Sequence, residues 1–306
     1  MLDYTGPVKV ELSVSSDTAN PTTMVCDGVA GCGTSAFGES IDLTATDPNF
    51  KLSSISVVNA DSNGAVTTNI SALTHLAAIL IENGNGAVTP ETVQEKSSLI
   101  ANTFRIEGSI TTLEPTAVES ASDVVAEDND NELRYGLINA GIMSALFSGE
   151  NDNANILSTK FSDVAADLTA NNGAFLVNQD NDAEFELSLA DVLNGAKATA
   201  TALVDAIAAD DSLSGTESVL ANLAQMETNF TNEVIAEEAL AGEDGRSDTG
   251  VEVITDGDNI AKGKAMVEDV RLFANLFDVT GQANQEITAQ GDAYIMPPTM
   301  TIRRCL

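Results

Sequence analysis

Hydrophobic and polar positions alternate with period two through the first 70 residues. Val8, Val10 and Leu12 are interleaved with Lys9, Glu11 and Ser13, the pattern of a half-buried strand. Ile41, Leu43 and Ala45 repeat it after Gly38, and Leu52–Val58 reads as a third strand. The turn signal Asp61-Ser-Asn-Gly64 then leads into a fourth strand over Ala65–Ile70. Short strands broken by Gly and Asn turns predict a small sandwich-like β module over residues 1–70.

The period then changes to 3.6. Leu73, Leu76, Ala77 and Leu80 form one helical stripe that Gly84 ends. Thr89-Pro90-Glu91 is a helix start, combining an N-cap, a first-turn proline and an acid that complements the dipole. Val93, Ser97, Ile100 and Phe104 share the face that follows. Residues 107–130 read as an acidic loop. Leu133, Leu137, Ile138, Ile142, Met143 and Leu146 make the next helix apolar nearly all round, which marks it as central. Further stripes run through Leu157–Leu168, Leu189–Ile207, Val219–Val234 and Ile260–Phe277. The expected fold class is therefore α+β. A small N-terminal β-sandwich-like module precedes a larger all-α domain of about seven helices over residues 71–290, with an extended tail over 291–306 around Pro297-Pro298.

Composition changes the picture through charge. Asp and Glu total 47 against 13 Lys and Arg, a formal net charge of -34 over 306 residues. Such a chain repels nucleic acid and anionic membranes. No run reaches the roughly 18 apolar residues of a membrane span, so no transmembrane segment is expected. Self-repulsion at this charge makes added salt or divalent ions stabilising.

Cys26 and Cys32 lie six positions apart in Cys-Asp-Gly-Val-Ala-Gly-Cys-Gly, and glycines 28, 31 and 33 let so short a loop close. A disulfide is the expected pairing, and it implies an oxidising compartment. Cys305 has no evident partner. The start, Met-Leu-Asp-Tyr-Thr-Gly-Pro, has neither the basic nor the apolar part of a leader. The two observations are reconciled if the chain is part of a longer exported protein.

Catalytic motifs fail on spacing. His75 is the single histidine and sits opposite the leucine stripe of its helix, near Ile79, a structural or surface position. Gly33-Thr-Ser-Ala-Phe-Gly38 is one residue too long for a nucleophile elbow. Neither a dinucleotide-binding nor a phosphate-binding glycine loop occurs. Calcium is the favoured inorganic guest because hard cations prefer carboxylate and carbonyl oxygens. Three acidic loops supply candidate ligands: Asp128 and Asp130; Asp180, Asp182 and Glu184; Asp256 and Asp258. None has EF-hand spacing, and each also reads as a solvated turn or helix cap.

Four stretches of the chain resemble exported bacterial surface proteins or lipoproteins, in which an Ig-like or carboxypeptidase-regulatory-like β module precedes a helical region. Tyr4-Thr-Gly-Pro-Val-Lys-Val-Glu11 resembles the module's last strands. Asn69-Ile-Ser-Ala-Leu-Thr-His-Leu-Ala77 resembles the segment opening the helical region, with Ala72 where that segment has proline. Tyr135–Ser144 and Ala261–Arg271 resemble later helices. The resemblance implies export to the cell surface, envelope or periplasm, and it carries over no catalytic residue. The expected function is a non-catalytic structural, adhesive or binding role toward a protein or glycan partner. The alternatives are an enzyme acting on extracellular polysaccharide through carboxylates, or a calcium-stabilised spacer of a large adhesin. The absence of Trp and the 4% aromatic content count against a sugar-cleaving cleft.

Overall fold

In a computed structural model the chain divides into two compact units, Met1–Gly250 and Val251–Leu306. The structure describes residues 5–58, 67–84, 86–127, 129–178, 185–241 and 245–247, all in the first unit. The helix expected over Ile260–Phe277, the tail after it and Cys305 lie outside the described residues.

The element order is β1 (Gly6–Ser13), β2 (Thr23–Val25), β3 (Ser40–Asp42), α1 (Leu43–Thr46), β4 (Lys51–Val58), α2 (Ala72–Asn83), α3 (Pro90–Thr103), α4 (Ala121–Ala126), α5 (Asp130–Leu146), α6 (Ile156–Ala170), α7 (Leu189–Ala209) and α8 (Glu217–Leu240). The class is mixed α+β, and helices dominate it. Among the described residues the strands form two separate antiparallel pairs, β1 with β4 and β2 with β3, and no sandwich forms. The long pair runs in unbroken register from Gly6 opposite Val58 to Ser13 opposite Lys51.

Two expected strands depart from their patterns for local reasons. The alternation Ile41–Ala45 breaks at Asp42, whose carboxylate accepts from the Ala45 N–H and starts the turn α1. Of the strand expected over Ala65–Ile70, the described residues 67–70 join no ladder. Thr68 instead bonds the hydroxyls of Ser54 and Ser56 on β4, and the Asn69 N–H donates to Thr111 O. The acidic stretch 107–130 also holds one short helix, α4, capped by Ser120.

The six long described helices, α2, α3 and α5 to α8, lie where the 3.6-residue stripes put them. Ser71 and Thr74 close a capping box on α2, and Thr89 caps α3 with Pro90 at its first turn. Helix α5 is buried along nearly its whole length, including Leu137, Ile138 and Ile142 at 0% exposure. It packs on α7, which packs on α8. Helix α2 lies between β4 and α3. Cys26, Ile41, Leu43 and Phe50 from the strand region join the helices in one core. Each large apolar side chain fully buried there contributes about 1.5–3 kcal/mol. The Tyr135 hydroxyl ties the layers together, donating to Ile110 O and meeting Ser71 Oγ at 2.7 Å. No described helix is long and apolar enough to cross a membrane.

Candidate functional site

Of the acidic candidates, Asp130 is described. Asp128, Asp180, Asp182, Glu184, Asp256 and Asp258 lie outside the described residues. Asp130 opens α5, where its charge favours the helix N-terminus. Its Oδ1 accepts from Asn222 Nδ2 of α8 at 2.6 Å. Among the described residues no three of His, Cys, Asp and Glu gather as a metal site would require.

What Asp130 joins is a groove. Its walls are the α3–α4 connection at Arg105 and Glu107, the first turn of α5 at Asn131 and Arg134, and the polar face of α8. One cavity of about 280 Å³ lies along α8, and a second of about 580 Å³ adjoins it across Arg105 and Glu107. Asn131 fixes the connection, since its amide both accepts from the Glu107 N–H and donates to the Glu107 carbonyl.

Arg134 forms the groove's floor and is 8% exposed. Its Nε donates to Phe104 O at 2.9 Å, its Nη2 donates to Glu233 Oε2 at 2.6 Å, and its guanidinium lies 4.9 Å above the Phe230 ring. Glu233 is itself 5% exposed, so the pair is a buried, charge-assisted contact. Arg105 lies above it, with Nη1 3.5 Å from Glu233 Oε1 and Nη2 3.6 Å from Glu237 Oε1. Two arginines thus share Glu233.

Arg105 reaches this place through a backbone conformation that side chains avoid. Its φ is +52°. It follows Phe104, the C-cap of α3, with its N–H bonded to Asn102 O and the Ile106 N–H bonded to Ala101 O. That is a Schellman ending, in which the left-handed residue is usually glycine. A Cβ there costs about 1–2 kcal/mol.

The disulfide forms a second cluster. Cys26 and Cys32 are bonded, with Cα atoms 5.8 Å apart and both residues 0% exposed. Gly33 has φ +60°, and a Cβ on it would collide with Asp152 O and Asn153 Oδ1. Asn153 Oδ1 accepts from the Thr34 N–H and Asn153 Nδ2 donates to Ser35 Oγ, stitching the loop to the α5–α6 connection. Inside the loop, Asp27 Oδ1 is buried and makes no hydrogen bond among the described residues. Burial pushes the Asp27 carboxyl up to about 7, and the charge of Glu119 adds to the rise.

Of the two positions left open for His75, structural or surface, the structure gives the structural one, packed between Ser53 and Phe161. Its Nδ1 accepts from the Ser53 N–H at 3.3 Å, which places the ring proton on Nε2. Its ring meets Phe161 edge-on at 5.1 Å, and burial pushes its pKa down to about 4. A third cavity, about 750 Å³, lies between β4, α3 and the 108–112 loop and is lined without a charged side chain.

Sequence patterns give Asp130 and the disulfide but pass over Arg105, Arg134 and Glu233. A signal was present: Arg134 and Glu233 fall on apolar stripes, at one face of α5 and one of α8, where an unpaired charge is untenable. Their pairing spans 99 positions, which no local periodicity reports. Comparison with protein-family models, with curated proteins and with solved structures finds no match for this chain.

Proposed function

We propose that this is an exported, non-catalytic protein of the bacterial surface or envelope, with a structural, adhesive or binding role. In this reading β1–β4 belongs to an Ig-like or carboxypeptidase-regulatory-like region, and the helices carry the contact surface. The observation that supports it is the Cys26–Cys32 bond buried in the core, since structural disulfides persist in oxidising compartments. The charge of -34 agrees with a solvated, aggregation-resistant exterior. Calcium in the acidic loops is a further part of the proposal, as stabiliser and not as reactant.

The test is labelling of intact cells with a membrane-impermeant amine reagent, followed by alkylation of the chain without reductant. Labelling together with protected Cys26 and Cys32 is the expected result. A chain that is unlabelled in intact cells and carries both thiols free would overturn the reading.

A further inference from the structure

We infer that the groove around Arg105 binds a neutral, hydroxyl-rich chain, an oligosaccharide segment. This rests on the binding role proposed above and names the partner chemistry of one site.

The groove is built and not incidental. Arg134, nine-tenths buried, is locked by Phe104 O, Glu233 and the Phe230 ring. Its Nη1 donates to no described group while the residue lines the groove. Arg105 is held 3.5 Å and 3.6 Å from two carboxylates, yet its guanidinium makes no hydrogen bond among the described residues. It stands half-exposed between the two cavities, on a strained backbone. Strain of this kind persists where the surrounding structure holds it, and it concentrates at ligand sites. Along α8, Asn222, Gln225 and Asn229 present their amides on one face, and each spends one end within the protein. Asn222 Nδ2 goes to Asp130, and Gln225 Nε2 goes to Asn229 Oδ1. The other ends, Asn222 Oδ1, Gln225 Oε1 and Asn229 Nδ2, have no partner among the described residues.

Electrostatics selects the charge of the guest. Glu233 and Glu237 already face the two arginines, and Glu107 and Asp130 add two exposed carboxylates at the rim. An anion entering the groove meets these four acids and the field of the whole chain. A cation meets two guanidiniums. A neutral guest avoids both costs.

Hydrogen bonding selects its type. A hydroxyl donates and accepts, so neighbouring hydroxyls satisfy guanidinium donors and amide acceptors together. A peptide backbone offers one donor and one acceptor per residue and relies on apolar seats for its side chains, whereas the apolar lining here is Met226 along α8 and, beyond Arg105, Ala101 and Ile106, all three buried. No aromatic residue lines the groove, so affinity rests on hydrogen bonds and is weak, on the order of 1 mM.

The experiment is a titration of the ¹⁵N-labelled full chain, following the side-chain resonances of Asn222, Gln225, Asn229 and Arg105. The probes are neutral trisaccharides of glucose, mannose and N-acetylglucosamine, with a uronic-acid trisaccharide and triglycine as the contrasting arms. The expected result is saturable shifts of these four residues with at least one neutral trisaccharide. Arg105→Gly suits the left-handed backbone and so keeps the fold, and it weakens that binding about tenfold or more. Gln225→Ala, at an exposed position, gives the same loss independently. Silence toward every neutral trisaccharide at about 20 mM, shifts with the uronate or triglycine alone, or unchanged binding in both variants overturns the inference. A chain that is surface-labelled but silent in the titration overturns this inference and leaves the proposed location standing.

Discussion

Asp27 and His75 are buried titrating groups whose pH signatures oppose each other. Asp27 holds its proton up to about pH 7 in the folded chain against 3.8 unfolded. Between those values the native state binds more protons, so this group makes stability fall as pH rises, by as much as ~1.4 kcal/mol per unit. His75 stays neutral down to about 4 against 6.5 unfolded. Between those values the unfolded state binds more protons, so stability falls as pH falls. From about pH 4 to 6.5 the two slopes offset, and Asp27 alone acts from there to pH 7. Urea unfolding of Asp27→Asn and wild type should therefore show a gap that widens in the variant's favour from pH 5 to 7.5 and is then constant. A gap independent of pH would refute the burial of this carboxyl. Glu233 makes a different case, because Gln removes the charge that two arginines share. Glu233→Gln leaves Arg134 buried without a counterion and should destabilise by about 3 kcal/mol, while adding Arg134→Met should recover part of the loss in denaturant melts.

At the scale of elements, the contact between α5 and α7 is set by glycines. A Cβ on Gly195 would stand 2.9 Å from Ser144 Cβ and 3.0 Å from Gly141 Cα, so the two backbones touch where side chains would separate them. Gly195→Ala gains helix propensity of up to ~1 kcal/mol but forces this packing apart, and a net loss of about 2 kcal/mol is expected in thermal or urea unfolding. A neutral or stabilising result would mean that the helices slide freely. The disulfide works on a shorter span. Replacing Cys26 and Cys32 by Ser frees a loop of sequence separation six, for which the chain-entropy argument gives about 2 kcal/mol. The six described long helices were legible because their stripes are continuous, and α3 also because Thr89-Pro90 marks its start. The β part was less legible. Asp42 is at once the last residue of β3 and the cap of α1, so the strand that alternation carries on to Ala45 stops there. The groove was least legible of all. Asp130 could be picked as an acid, but its partner Asn222 lies 92 positions away, and Arg105 occupies a position where sequence rules expect glycine.

The whole molecule is governed by its charge. Lys9 and Lys51 bridge to Glu11 of β1, Lys9 also reaches Glu82 of α2, and Lys160 and Arg246 are drawn into pairs with Glu150, Asp167 and Glu186. These contacts leave most of the negative charge unmatched, because 13 basic residues face 47 acidic ones. The repulsion is long-ranged at low ionic strength, where the screening length is about 30 Å at 0.01 M, and collapses to about 3 Å at 1 M. Thermal midpoints should therefore rise by several degrees from low to high sodium chloride, at roughly 2–4 °C per kcal/mol for a chain of this size. Calcium separates two origins of that rise. Unfolding is compared in calcium and in chelator at matched ionic strength, with magnesium as the control. A rise that magnesium reproduces is screening, and it makes the acids a solubility coat. A further rise specific to calcium requires oxygen cages of the larger ion's geometry. Asp130 could enter such a cage through Oδ2 while Oδ1 keeps the Asn222 amide. Asp130→Asn should therefore leave a calcium-specific rise intact if the ion is held by Asp180, Asp182 and Glu184 or by Asp256 and Asp258, and abolish it if the ion is held at the start of α5.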